Sequence, residues 1–347
     1  MAHELDFSRG KAAIAYNIQE GTPWHREGTA IDGAFTVEEA LDKGEMNFDV
    51  ELEEITTKSG IVLPNYKAVM RTDTKKALGV VSDKYSPLQN REAAAFFDEL
   101  TKDKKAVFET AGVLSEGRTI WLLAKLSGEP LKIIANDVVD TYLLFTNNHT
   151  GLSAARARFT PIRVVCANTL GWAMQRNARE EVVVTHVGDV AERVKFAGEL
   201  LASAGRFYNE LGEGYRAMTR IQLNTVDTIN YIKESLRPYK PKNATEQEIL
   251  ELQEQEEQDS RQLKGEIEVV LNLIDTGRGS DIKGVRGTLW GAYNGITEYV
   301  DHYKAANSKL NSTAYIMQGV GKLIKKKAIK LALDRVKLNN KNNLVTA

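Results

Sequence analysis

Five arginines, Arg156, Arg158, Arg163, Arg176 and Arg179, fall between Thr141 and Arg179, a stretch without a lysine or an acidic residue, in a chain whose formal net charge is only −1. Guanidinium groups gathered in foldable apolar sequence make a surface suited to an anion, because each planar fork can donate two hydrogen bonds to one phosphate. Residues 153–160 alternate, with Ala155, Ala157 and Phe159 on one side of an extended segment and Arg156 and Arg158 on the other. Pro161 is expected to end that strand. Residues 163–178 then read as a helix, with Cys166, Leu170, Ala173 and Met174 at helical spacing. Arg163 would sit in its first turn, where a cation opposes the helix dipole, and an anion held between strand and helix would compensate. The alternative is that the same arginines are solvated or pair with carboxylates elsewhere in the fold.

Two further groups carry candidate chemistry. His149 lies in a turn-forming run, Asn148 to Gly151, with Asn147 just before it; His149 could donate to a phosphate, and the asparagines could equally serve the turn. A nucleophile, base and orienting-acid arrangement needs a carboxylate close to His149, and the nearest in sequence, Asp140, is at the far end of its strand. Downstream, Gly277-Arg278-Gly279-Ser280 with Lys283, Gly284, Arg286 and Gly287 makes a basic glycine-rich loop before a helix over 288–303. Its amides could wrap a phosphate, but the spacing is neither that of a Walker loop nor of a dinucleotide fingerprint, so nucleotide hydrolysis is not expected. Trp290, Tyr293, Tyr299 and Tyr303 share that helix and read mostly as core, with one or two rings free to stack on bases. Glu298 and His302 share a face, but two ligands make no coordination sphere, and no metal or cofactor is expected.

The elements that must hold these groups follow from periodicity. Residues 1–34 lack it and read as an irregular arm. A short helix over 35–43 has Asp32 or Thr36 as candidate cap. Strands are expected over 48–57, 61–71 and 78–82, a helix over 90–100, and hairpins 106–114/119–126 and 138–147/153–160. An extended piece over 181–186 leads to helices over 190–211 and 215–235, a break at 238–243, and a further helix over 245–274. The fold class is therefore α+β, a mainly antiparallel sheet with flanking helices followed by a helical C-terminal half. Strands and helices do not alternate regularly, which argues against a doubly wound nucleotide-binding domain. The expected divisions are an N-terminal arm (1–34), an α+β domain with an arginine-rich face (35–187) and a helical region (188–347).

Composition sets outer limits. Of 347 residues, 42% are apolar and 27% charged, enough for a real core. No apolar run approaches a bilayer span and the N-terminus lacks a signal-peptide core, so a cytoplasmic protein without a membrane partner is expected. The single cysteine, Cys166, excludes an intramolecular disulfide and reads as a packed thiol. Charge is segregated: residues 244–259 are rich in glutamate, and residues 322–341 carry eight cations against one acid, Asp334. A basic end of this kind attracts polyanions through counterion release, although a solvated helix face reads the same way.

Several strings bear a resemblance: Tyr85-Ser86-Pro87-Leu88-Gln89-Asn90, Phe145-Thr146-Asn147-Asn148-His149, the run from Arg158 to Leu170, and Gly287-Thr288-Leu289-Trp290-Gly291-Ala292-Tyr293-Asn294. Together they resemble the phage- and plasmid-like proteins known as domain of unknown function 932, from about Gly21 to about Tyr303. The family's motif positions are marked here by Asn147, His149, Arg158, Arg163, Asn168 and Trp290. The resemblance implies residence on mobile genetic elements and brings no reaction with it. In architecture the chain also resembles the single-strand annealing recombinases of phages, an analogy of fold that does not fix function. The expectation is a protein that binds single-stranded DNA, and promotes annealing, in phage or plasmid recombination or replication, assembled as a homo-oligomeric ring or filament and not an enzyme. Arg156, Arg158, Arg163, Asn147, His149, Arg278, Lys283 and Arg286 would contact the nucleic acid. Two alternatives stay open: an enzyme or sequestering protein for a phosphorylated nucleotide, with His149 in the site, and a protein that binds a host defence or replication factor through an exposed apolar patch.

Overall fold

Alternating apolar residues drive the first half of the chain into strands, and a change to helical period after residue 190 turns the rest into helices, in a computed structural model that describes residues 13–20, 28–33, 36–95, 106–163, 168–169, 181–184, 190–237, 246–304 and 320–345. The strands are β1 (Ile14–Asn17), β2 (Thr29–Ile31), β3 (Val50–Thr56), β4 (Val62–Arg71), β5 (Ala77–Ser82), β6 (Ala106–Leu114), β7 (Thr119–Leu126), β8 (Leu131–Ile134), β9 (Asp137–Asn148), β10 (Ala155–Arg163), β11 (Asn168–Thr169) and β12 (Glu181–Val184). The helices are α1 (Val37–Lys43), α2 (Val190–Thr219), α3 (Thr225–Leu236), α4 (Glu246–Thr276), α5 (Leu289–Glu298), which continues as a wider turn over Tyr299–Lys304, and α6 (Val320–Val345). The fold is α+β, with mainly antiparallel sheets first and a helical C-terminal half.

The chain forms two compact units, Met1–Glu129 with Thr141–Thr160 and Asn177–Phe207, and Pro130–Asp140 with Pro161–Arg176 and Tyr208–Ala347. In the first, β10, β9, β7, β6, β1 and β2 lie side by side in that order, and β12 pairs with β10. Only the β1–β2 pair is parallel among the registers resolved. The segment expected as an irregular arm therefore supplies two strands to the sheet, too short for any periodicity to show. Strand β7 is buried almost throughout, with Leu122 opposite Phe145 and Ala111, so both faces of the sheet are covered. A separate three-stranded sheet runs β3, β4, β5. Its guanidinium anchor is Arg71, fully buried, which donates to both carboxylate oxygens of Asp73 and to the Glu116 carbonyl and lies 3.9 Å from the centre of the Phe48 ring. Helix α1 starts at a capping box made by Thr36 and Glu39, so Thr36 and not Asp32 is the cap.

In the second unit every residue of α5 is buried. Its small residues allow close packing: a Cβ on Gly295 would meet the Ile274 side chain of α4 at 2.5 Å. Trp290 donates from Nε1 to Asp137 Oδ2 at 2.8 Å, and its ring lies 4.8 Å from that of Tyr215. The helices expected over 190–211 and 215–235 are divided differently. Helix α2 runs through Gly212 and Gly214 to Thr219, and the break falls at Asn224, whose side chain caps α3 by accepting from the Asp227 amide at 2.8 Å. A helix interior carries glycine at a cost of about 1 kcal/mol, which long-range packing outweighs here. The expected break at 238–243, Cys166, Arg176, Arg179 and the end of the 90–100 helix lie outside the described residues.

Buried phenols give this fold an alkaline limit. Burial pushes Tyr85 up to about 12, and burial raises Tyr215 and Tyr231 well above the ordinary tyrosine value. A group whose folded value is raised contributes stability that is complete below its unfolded value and is lost as pH climbs toward the folded one. The contribution of these phenols is therefore expected to be constant below pH 10 and, for Tyr85, to fall between 10 and 12. The slope is up to about 1.4 kcal/mol per pH unit for each tyrosine. Urea midpoints measured across that range check it, and an unchanged midpoint at the upper end contradicts it.

Candidate nucleic-acid interface

Strand β10 carries the arginine face that the sequence alternation requires. Ala155, Ala157 and Phe159 are buried, with Phe159 stacked on Phe207 of α2 at 4.9 Å, while Arg156 and Arg158 are half-buried on the opposite face. The apolar anchor fixes the strand's rotation, so both guanidinium groups leave from one side. Arg156 Nε donates to Ser153 Oγ at 3.5 Å. Register sets Val183 of β12 opposite Arg156 and Glu181 opposite Arg158.

Pro161 does not end the strand. Strand β10 continues to Arg163, whose Cα partner is Asn168, and β11 returns antiparallel beside it. The helix expected from Arg163 is therefore extended at its first residue and again at 168–169. The β-branched run Ile162, Val164, Val165 favours extension, and proline is tolerated where the ladder does not need its missing N–H. With no helix start at Arg163, the argument from the helix dipole for an anion there falls away.

Asn147 and His149 are interior groups, each fully buried. Asn147 Nδ2 donates to the Leu88 carbonyl at 2.9 Å, and His149 Nε2 lies 2.8 Å from Asn90 Oδ1. Asn90 Nδ2 in turn donates to the carbonyls of Met46 and Phe48. The amide's nitrogen is thus committed to acceptors, its oxygen faces the ring, and the proton between them belongs to His149 Nε2. Gln89 works beside it, accepting from the Val50 amide and donating to the Val50 carbonyl, as a neighbouring strand would. Tyr85 completes the bracket through its hydroxyl, 3.4 Å from the Asn148 carbonyl. The expectation that Asn147 and His149 reach a nucleic acid is corrected accordingly: buried side chains with internal acceptors brace segments 46–50, 85–90 and 147–150. Asn90, absent from the sequence candidates, is the hub, and its place in the Tyr85–Asn90 string was the available signal.

The glycine-rich loop belongs to the second unit, as does Arg163, whereas Arg156, Arg158, Asn147 and His149 belong to the first. Arg278, Lys283 and Arg286 are exposed, and Arg286 Nη2 donates to the Asp275 carbonyl. The loop's own anion is internal. Glu298, 6% exposed, accepts from the Arg278 amide at 3.2 Å, and a Cβ on Gly277 would meet its Oε2 at 2.6 Å. A carboxylate twenty residues downstream therefore takes an amide that the sequence offered to a phosphate. The rings of Trp290 and Tyr293 are fully buried and Tyr299 nearly so, which withdraws them from base stacking; Tyr303 is 46% exposed. No helix among the described residues is long and apolar enough to cross a membrane.

Two of the strings that carried the resemblance thus meet in space, Tyr85–Asn90 with Asn147–His149 in the first unit, and a third sets Trp290 on Asp137 in the second. Neither a search of the curated proteins nor a search of the solved structures returned a match. The family model described as Domain of unknown function (DUF932) matches residues 77–326, starting later and ending further along than the strings alone suggested. That span is well over half of the 347 residues, and the chain belongs to the DUF932 family.

Proposed function

We propose that the chain binds single-stranded DNA through its phosphate backbone, as a phage or plasmid protein of recombination or replication that promotes annealing and assembles as a homo-oligomer. The observation that carries the reading is strand β10, where an apolar face anchored on Phe207 turns Arg156 and Arg158 together toward the half-exposed side. Guanidinium groups on a sheet face suit a strand without sequence preference, because phosphate contacts position a nucleic acid and do not read it. Arg278, Lys283 and Arg286, exposed on the loop of the second unit, add cations to the same task. A multimer would let a short groove on each subunit hold a long strand.

Fluorescence polarisation with a labelled oligonucleotide tests this. Binding is expected at low salt and should weaken linearly on a log–log plot as salt rises, with a slope of about −0.7 per phosphate engaged. A free mononucleotide should compete poorly. Tight, salt-insensitive binding of the mononucleotide with none of the oligonucleotide would replace this reading with a nucleotide-binding one.

A further inference from the structure

Helix α6 divides cleanly by burial. Ile324, Ala328, Ile329, Ala332 and Val336 are buried, and Lys325 joins them, its ammonium 2.7 Å from Asp301. The opposite side carries Lys326, Lys330, Lys337 and Lys341, all exposed, at spacings of four, seven and four residues. Those intervals keep the four ammonium groups in a row, and at 1.5 Å per residue the row is about 22 Å long. One acid shares the face: Asp334, which lies 3.7 Å from Lys337. Beside the row, Lys327 donates to the Arg237 carbonyl at the end of α3. Its ammonium is held below the ordinary lysine value by partial burial and by the charge of Arg237, against an opposing pull from Glu234.

We propose that this lysine face of α6 is a second phosphate-backbone contact surface for single-stranded nucleic acid, read by charge and not by sequence. It shares the ligand class of the reading above and none of its residues. Four flexible point charges in line suit a polyanion of repeated charge better than a compact ligand, which would call for convergent groups in a concave site. A lipid surface fits less well. An interfacial helix lays an apolar face into the headgroups, and the apolar face of α6 is already in the protein core; Val320, Leu323 and Leu338, exposed along it, do not make a continuous one.

The test uses the full chain with Lys326, Lys330, Lys337 and Lys341 all changed to Gln, and a matching set changed to Arg, with thermal unfolding of each followed by circular dichroism. Polarisation of a labelled oligonucleotide across a salt series should give a log–log slope shallower by about 3 for the Gln set, four contacts at about 0.7 each. The Arg set should keep the wild-type slope. Should the Gln set unfold, each single Lys→Gln change should remove about 0.7 of slope. An unchanged slope overturns the proposal, and if Arg156→Ala with Arg158→Ala then abolishes binding, the β10 reading stands without it. The converse result, a Gln set that flattens the slope while the arginine pair has no effect, supports the α6 surface and sinks the β10 reading. Retention on phosphatidylserine vesicles without oligonucleotide binding would overturn it in favour of a membrane surface.

Discussion

Lys325→Met alone is expected to destabilise the second unit by about 3–5 kcal/mol, whereas Lys325→Met combined with Asp301→Leu should restore most of that loss or exceed it. The two side chains are 5% and 4% exposed and 2.7 Å apart, so each has given up most of its hydration for the other. Removing the ammonium leaves the Asp301 carboxylate in a low-dielectric interior without the charge that faces it. Removing both replaces an ion pair by apolar volume, which cores accept at little cost. Urea denaturation of the two single variants and the double variant measures the coupling. Single losses that simply add would show that the pair is not the local determinant its burial implies.

Asn90→Ala is expected to cost about 3–5 kcal/mol, more than His149→Ala. The amide supplies donors to the carbonyls of Met46 and Phe48 and an acceptor to the His149 ring, all in buried surroundings. Each buried polar group left without its partner costs about 1–3 kcal/mol, and truncating the hub takes a partner from three of them, of which the Met46 carbonyl keeps the Phe48 amide. His149→Ala strands one and opens a cavity. Denaturation midpoints of the two variants decide the ranking; a milder effect for Asn90→Ala would remove it from the centre of the bracket.

That bracket also marks where sequence reasoning ends. Alternation along Ala155–Phe159 was legible because period-two patterning is local and β10 obeys it, and the hairpins followed for the same reason; the helical period is equally local, but it did not show where α2 ends. The roles of Asn147 and His149 were not legible, because their partners Leu88 and Asn90 lie 59 residues away, and a polar residue in a turn looks the same whether it faces water or a buried carbonyl. Glu298 is hidden likewise: nothing in the glycine-rich loop announces that its anion comes from the following helix. At Arg163, helical spacing of apolar residues competed with a β-branched run, and pairing with Asn168 decided for the strand. Within the family strings, Asn90, Asn147, His149 and Trp290 hold the fold together. The proposed phosphate contacts fall on Arg156 and Arg158, between buried alanines, and on the lysines of a helix that reads in sequence as an ordinary solvated face.

The most direct measurement is the affinity of Arg156→Ala/Arg158→Ala for a labelled single-stranded oligonucleotide at low salt, beside the wild-type chain. Both side chains leave the half-exposed face of β10, so the variant should fold as the wild type does and bind about 10–100-fold more weakly. Undiminished binding by a folded variant would contradict the account.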